Sequence, residues 1–170
     1  IFGKVYFPRI IVPASVVISN LGKFIIQFFI FLVFWGYFFS QGEIKPHYES
    51  MILLPYVVIV MGITSLGFGM VFSSMTTKYR DLNFLLVFGV QLWMYITPVI
   101  YPVSSIPEKY QNLIMYNPVS PLVESMRYAF LGKGMFDVGG LIYSGVFGFC
   151  IFVLGFFVFS KVEKSFMDTV

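Results

Sequence analysis

The chain has 170 residues, enough for one ordinary domain, yet 58% of it is hydrophobic, 21% aromatic and only 11% charged, with a net charge of +3. Soluble domains carry about 25% charged residues, so this composition excludes a soluble globule, a disordered tail and a secreted disulfide scaffold, and leaves a membrane protein. One cysteine, Cys150, allows no intrachain disulfide and no thiol–metal cluster, and a single His47 makes no metal or histidine-based catalytic site. The scattered basic residues form no stripe that would hold a nucleic acid.

The first residue is Ile1 and no signal peptide precedes the first apolar run, so the chain reads as the later part of a longer protein. Four stretches reach the roughly 20 residues that a membrane-spanning helix needs. The first covers residues 14–39, with Lys23 and Gln27 as its strongly polar members. Phe24, Phe28, Phe31, Trp35 and Phe38 recur in it at spacings of 4, 3, 4 and 3, which places them on one helical face. Lys23 is expected towards the inner end, where it either snorkels to the headgroups or faces a cavity.

The second span, residues 51–75, has no charge, and its Pro55 falls in the first turn, where a missing N–H costs little. Its Gly62, Ser65, Gly69 and Ser73 form a small-residue face suited to close packing against another helix, and Ser144 and Gly148 of the last span suggest the same. The short charged turn over residues 77–82 is either an anchor for an inner loop or a docking surface. The third span, residues 82–101, repeats the aromatic pattern with Phe84, Phe88, Gln91 and Tyr95, and Pro98 should end or kink it.

Residues 102–140 are too long for a turn and too apolar for a solvated loop. Asn117 and Pro118 read as a helix start, with Asn as N-cap and Pro at the first helical position. The helix from there to Leu131 is too short to span. Leu122, Val123, Met126 and Phe130 make its apolar face, while Ser120, Glu124 and Arg127 make a polar stripe in which Glu124 and Arg127 can pair at i, i+3. Gly132 and Gly134 then break it. This predicts a re-entrant or interfacial element, with residues 107–116 as a second short helix from the same side. Residues 141–160 form the fourth span.

Loop charges orient the spans. Lys4, Arg9, Lys78, Arg80, Lys161 and Lys164 against Asp81, Glu163 and Asp168 give one face +3, while the other face comes to −1. The positive-inside rule then puts both ends of the chain in the cytoplasm. The fold class expected is an all-α polytopic membrane bundle: one transmembrane domain, with four spans and short re-entrant outer helices. Two aromatic faces with an amide or two would suit a passage for sugars. The alternative is that they face lipid or a neighbouring helix. No phosphate-binding loop is present, since Gly132-Lys133-Gly134 lacks both the upstream Gly and the hydroxyl. The chain is therefore expected not to be an enzyme and to need no cofactor of its own.

Several motifs resemble one family. Lys4-Val5-Tyr6-Phe7-Pro8-Arg9 leads into the first span, and Lys78-Tyr79-Arg80-Asp81-Leu82 precedes the third. That span continues through Gln91-Leu92-Trp93-Met94 to Thr97-Pro98-Val99-Ile100-Tyr101-Pro102, followed by Ile106-Pro107-Glu108 and Tyr116-Asn117-Pro118. Together they resemble the permease subunits of type-2 ABC exporters for polysaccharides and polyol phosphates, the O-antigen, capsule and teichoic-acid class. The resemblance covers essentially the whole chain. It implies a six-span permease of which these are the last four spans, working as a homodimer in the bacterial inner membrane. It also implies two cytoplasmic ATPase subunits that hold the ATP and Mg, and a lipid-linked polysaccharide as cargo. Lys4, Arg9, Lys78, Tyr79, Arg80 and Asp81 would then couple to the ATPase. Asn117, Pro118, Glu124, Arg127 and Tyr128 would belong to the outer gate. Phe24, Gln27, Phe28, Phe31, Trp35, Phe84, Phe88, Gln91 and Tyr95 would line the channel. An exporter of a smaller cargo, a drug or a lipid, and a structural subunit without a conduit are the rival expectations.

Overall fold

The computed structural model describes residues 11–79 and 81–167, and among them every regular element is helical. Helix α1 (Ile11–Ser40) has 30 residues, about 45 Å at 1.5 Å per residue. It leads through residues 41–47 into the single turn α2 (Tyr48–Met51) and then α3 (Leu54–Lys78), which carries a proline in its first turn as expected. Helix α4 (Leu82–Ile96) follows after a tight turn. A 3-10 turn at Val103–Ser105, α5 (Glu108–Met115) and α6 (Ser120–Leu131) make up the long connection, and α7 (Val138–Met167) completes the chain. Three of these helices, α1, α3 and α7, are long and apolar enough to cross a bilayer, and α4 is a shorter apolar helix.

Helix α4 ends five residues before the sequence pattern does. Its last residue is Ile96, and Thr97 is extended at φ −78°, ψ 133°. Pro98 is the cause: its ring disfavours the α conformation in the residue before it, and it has no N–H to continue the ladder. Fifteen residues give about 22 Å, short of a hydrocarbon core of about 30 Å. The chain crosses here nevertheless. Tyr56 lies against Gly145, Thr64 against Gly148, and Gly67 against Ile151, Phe152 and Gly155, so α3 and α7 run parallel. Parallel neighbours require one return crossing between them, which α4 and the extended segment after it supply.

The α3–α7 contact corrects the expected use of the small residues. A Cβ on Gly155 would stand 2.5 Å from the Gly67 carbonyl oxygen, and one on Gly67 would stand 2.7 Å from the Phe152 nitrogen. The two backbones touch, as in small-residue packing of membrane helices, and Gly148 shares in that contact against Thr64, while Ser144 is buried. The Gly62, Ser65, Gly69 and Ser73 face does not. A Cβ at Gly62 or Gly69 meets nothing within 4 Å, and these four residues border a cavity of about 470 Å³ between α3 and α1.

The core lies where the short helix α6 inserts. Val57 and Val60 of α3, Leu122 of α6 and Leu141 of α7 form one buried cluster, with Leu53, Tyr56, Met61 and Met126 against it. Seven of the twelve residues of α6 are buried. Helices α1 and α4 contain no buried residue.

Candidate functional site

Helix α6 is built around a buried ion pair. Ser120, Glu124 and Ser125 are buried despite their polarity, so the polar stripe faces protein rather than water. Glu124 and Arg127, three residues apart, form the expected pair. The guanidinium also donates to three main-chain carbonyls, those of Pro98 at 3.1 Å, Val99 at 3.0 Å and Tyr101 at 3.1 Å. The Glu124 carboxylate accepts from the N–H of Val103 at 3.2 Å with one oxygen, and from that of Met135 at 3.2 Å with the other. Non-helical backbone at membrane depth is tolerated only when its polar groups find partners inside the protein. This one pair supplies them for the segment that Pro98 forces out of the helix, and ties the loop after α6 to the same point.

Gly134 fits this arrangement. It has φ +131°, and a Cβ there would stand 3.0 Å from the Glu124 carboxylate. Gly132 ends α6 in the left-handed conformation at φ +67°, with its backbone against the Lys45 carbonyl.

Asn117 does a different task from the one expected. Regular helix starts at Ser120, with Pro121 in its first turn, rather than at Pro118. The Asn117 side chain closes a local turn instead, its Oδ1 accepting from the Val119 N–H at 3.1 Å. Its amide donates to Thr97 Oγ1 at 2.8 Å, and its Oδ1 accepts from the Trp93 indole at 3.3 Å. Asn117 and Arg127 thus grip the end of α4 from two sides, and Pro118 is buried beside them.

The aromatic face of α1 meets α6 at one ring. Phe28, Phe31 and Trp35 stand edge-on to Phe130 at centroid distances of 5.9, 5.4 and 6.1 Å, and the Trp35 indole donates to the Phe130 carbonyl at 2.7 Å. Phe24 continues the stack on Phe28 at 5.7 Å. The geometry of these three residues is that of a socket for α6. Below it lies an apolar cavity of about 290 Å³ shared with Val57, Met61 and Met126. Tyr128 is stacked between His47 at 4.1 Å and Phe136 at 5.5 Å, while the His47 N–H donates to the Ala129 carbonyl at 3.0 Å.

Helix α4 presents its aromatic face outward. Phe84 is 80% exposed, Phe88 61% and Tyr95 62%. Gln91 borders a cleft with Ser73 and Thr76 of α3 and Asn83 of α4. At the other end of the bundle, Tyr79 and Asp81 border a cavity of about 790 Å³ with Ser74, Leu82, Leu85, Val158 and Val162. Both are exposed, and Lys78 is the last residue of α3. Lys4, Arg9 and Arg80 lie outside the described residues.

Lys23 lies well inside α1. It is twelve residues, about 18 Å, beyond Ile11, the first described residue of α1. Its neighbour Phe24 borders both α1–α3 cavities together with Met61, which is seventeen residues, about 25 Å, from Lys78. A four-carbon stem is short against these distances, which favours the cavity-facing reading over snorkelling.

The model of the ABC-2 type transporter family matches residues 3–131. The chain belongs to that family. Among relatives, an O-antigen export system permease protein RfbA of Klebsiella pneumoniae is 28% identical over 169 residues, covering 99% of this chain and 63% of that protein. A second RfbA of the same organism matches to the same extent, and one of Myxococcus xanthus is 30% identical over 129 residues, 75% of this chain and 48% of that protein. The chain thus spans about two thirds or less of the length of these relatives. The stretch matched to the ABC-2 type transporter family ends with the last residue of α6, so it contains the grip on α4, the Phe130 socket and the turn at Asp81.

Several partners in this ABC-2 type chain leave no mark in its sequence. His47 carried no signal beyond a polar neighbourhood, and Phe130 was one apolar residue among four on its helix face. The carbonyls of Pro98, Val99 and Tyr101 have no side-chain signature. The one available hint was a proline break placed before an unusually apolar loop that contains an arginine.

Proposed function

We propose that the chain is the membrane subunit of an ATP-driven exporter that moves a lipid-linked, O-antigen-like polysaccharide outward across the bacterial inner membrane. It works as a pair of copies with two cytoplasmic ATPase subunits, and ATP and Mg reside on those partners. Both ends of the chain lie in the cytoplasm in this reading.

The observation that carries it is the exposed Phe84, Phe88, Gln91 and Tyr95 face of α4 joined at its end to a buried helix too short to span. Flat apolar rings offer platforms for the C–H faces of sugars, and a lone amide adds weak hydrogen bonding that does not trap the cargo. In this arrangement α4 is the wall of the passage, with Gln27 and Phe24 of α1 along its approach. Phe28, Phe31 and Trp35 seat the gate helix. Because Arg127, Glu124 and Asn117 hold the end of α4, a tilt of α4 carries α6 with it. The turn between α3 and α4, with Tyr79 and Asp81 beside their cavity, receives the push of the ATPase.

The test is purification with the ATPase and measurement of ATP hydrolysis with and without cargo. Reversing charge at the turn, Lys78→Glu with Arg80→Glu, is expected to leave membrane insertion intact and to abolish cargo-dependent turnover. Normal coupled export by that variant would remove the turn from the coupling path. A complex whose turnover responds to a lipid or drug and not to glycan would replace the cargo assignment.

A further inference from the structure

The stretch of α1 from Ser15 to Gln27 carries an unexplained polar stripe. Ser15, Ser19, Lys23 and Gln27 follow one another at intervals of four, and all four are exposed. Among the described residues the Lys23 ammonium has one hydrogen-bond partner, the neutral Asn20 Oδ1 at 3.3 Å. A lysine at the centre of a helix facing hydrocarbon is unfavourable, and intramembrane charges face a water-filled cavity or an opposite charge. No Asp or Glu lies within α1, α4 or residues 54–78, and in residues 138–162 there is none either. Glu124 of α6 is buried and already paired with Arg127, so a second copy of these elements has no free carboxylate to offer at that depth. Two such lysines brought face to face would repel.

We infer that this stripe of α1 lines a wet section of the passage at mid-membrane, and that Lys23 makes that section attract anionic groups, the phosphate or carboxylate groups of cargo. The inference rests on the exporter reading and adds to it a cation that the aromatic walls lack. Ser15, Ser19 and Gln27 supply neutral hydrogen-bonding groups for water and sugar hydroxyls on either side. The cation acts at long range and holds no fixed geometry, which suits a cargo that must keep moving.

The experiment labels single cysteines with methanethiosulfonates in the assembled, exporting complex. A Cys150→Ala background removes the native exposed thiol. Ser19→Cys, Lys23→Cys and Gln27→Cys are expected to react with membrane-impermeant reagents. Ile25→Cys, on the opposite side of α1 and 66% exposed, is expected not to. Gln27→Cys then reports the field of Lys23, one helical turn away at about 6 Å. Replacing Lys23 by Met should slow the anionic sulfonate reagent and speed the cationic trimethylammonium reagent at that cysteine, each by roughly threefold even in a water-like dielectric. Positions 19, 23 and 27 no more reactive than 25 would show a dry face and overturn the inference. An unchanged anion-to-cation ratio in Lys23→Met would overturn the electrostatic part. The cysteine variants at 19 and 27 keep Lys23, so accessibility is read even if Lys23→Met assembles poorly. A complex that exports with a dry stripe sinks this inference alone. A complex that moves no glycan sinks the exporter reading whatever the labelling shows.

Discussion

Replacing Arg127 by Ala removes the Glu124 pair and three carbonyl contacts in one step. The carboxylate left behind is fully buried and keeps only the amides of Val103 and Met135. Breaking a buried pair from one side costs about 3–5 kcal/mol. The Arg127 side chain is 14% exposed, so water can reach the vacated space and the lower end, about 3 kcal/mol, applies. For a chain of this size each kcal/mol shifts Tm by about 2–4 °C, giving a drop of about 6–12 °C. Arg127→Lys restores the charge but not the planar fork that reaches several acceptors, and should recover only part of it. The double variant Glu124→Ala with Arg127→Ala buries no lone charge, so it should be at least about 1 kcal/mol more stable than the sum of the two single changes. Thermal unfolding of the purified protein, followed by tryptophan fluorescence, gives all four values. A shift under 2 °C for Arg127→Ala, or strict additivity in the double variant, would refute the claim that this pair holds the end of α4 to α6.

Other consequences are open to simpler tests. Gly155→Ala should destabilise because its new methyl would stand 2.5 Å from the Gly67 carbonyl oxygen, whereas Gly62→Ala and Gly69→Ala should be neutral or slightly stabilising, and denaturation in detergent separates the two classes. Gly134→Ala introduces a side chain at φ +131° against the Glu124 carboxylate and should lower stability by more than about 1 kcal/mol, read as a lower Tm. Trp35→Phe keeps the ring contact with Phe130 and loses one hydrogen bond, a cost of about 1 kcal/mol by the same measurement. Phe88→Ala should leave Tm nearly unchanged and slow glycan transport, because Phe88 is 61% exposed and α4 buries none of its residues.

The spans and the two breaks were legible because they depend on local chemistry: a run of apolar residues sets length, Pro98 ends a helix and Gly132 caps one. The Glu124–Arg127 pair was legible from spacing alone. Its further partners were not, since main-chain carbonyls leave no mark in a sequence. Which small-residue row of α3 packs closely was not legible for a related reason. Gly67 with Thr64 and the set Gly62, Ser65, Gly69 and Ser73 are both small-residue rows at helical spacing. In a helix apolar on every side, no polar face tells which row is covered.

In the proposed function α4 forms a wall along which glycan passes when a partner ATPase cycles. The most direct test is ATP-dependent transfer of a lipid-linked glycan across vesicles containing this chain with its ATPase. Transfer should need ATP and fall severalfold in Phe88→Ala with Gln91→Ala, while ATP hydrolysis persists. Transfer at the rate of ATP-free vesicles, or a double variant that transports as well as the parent, would contradict it.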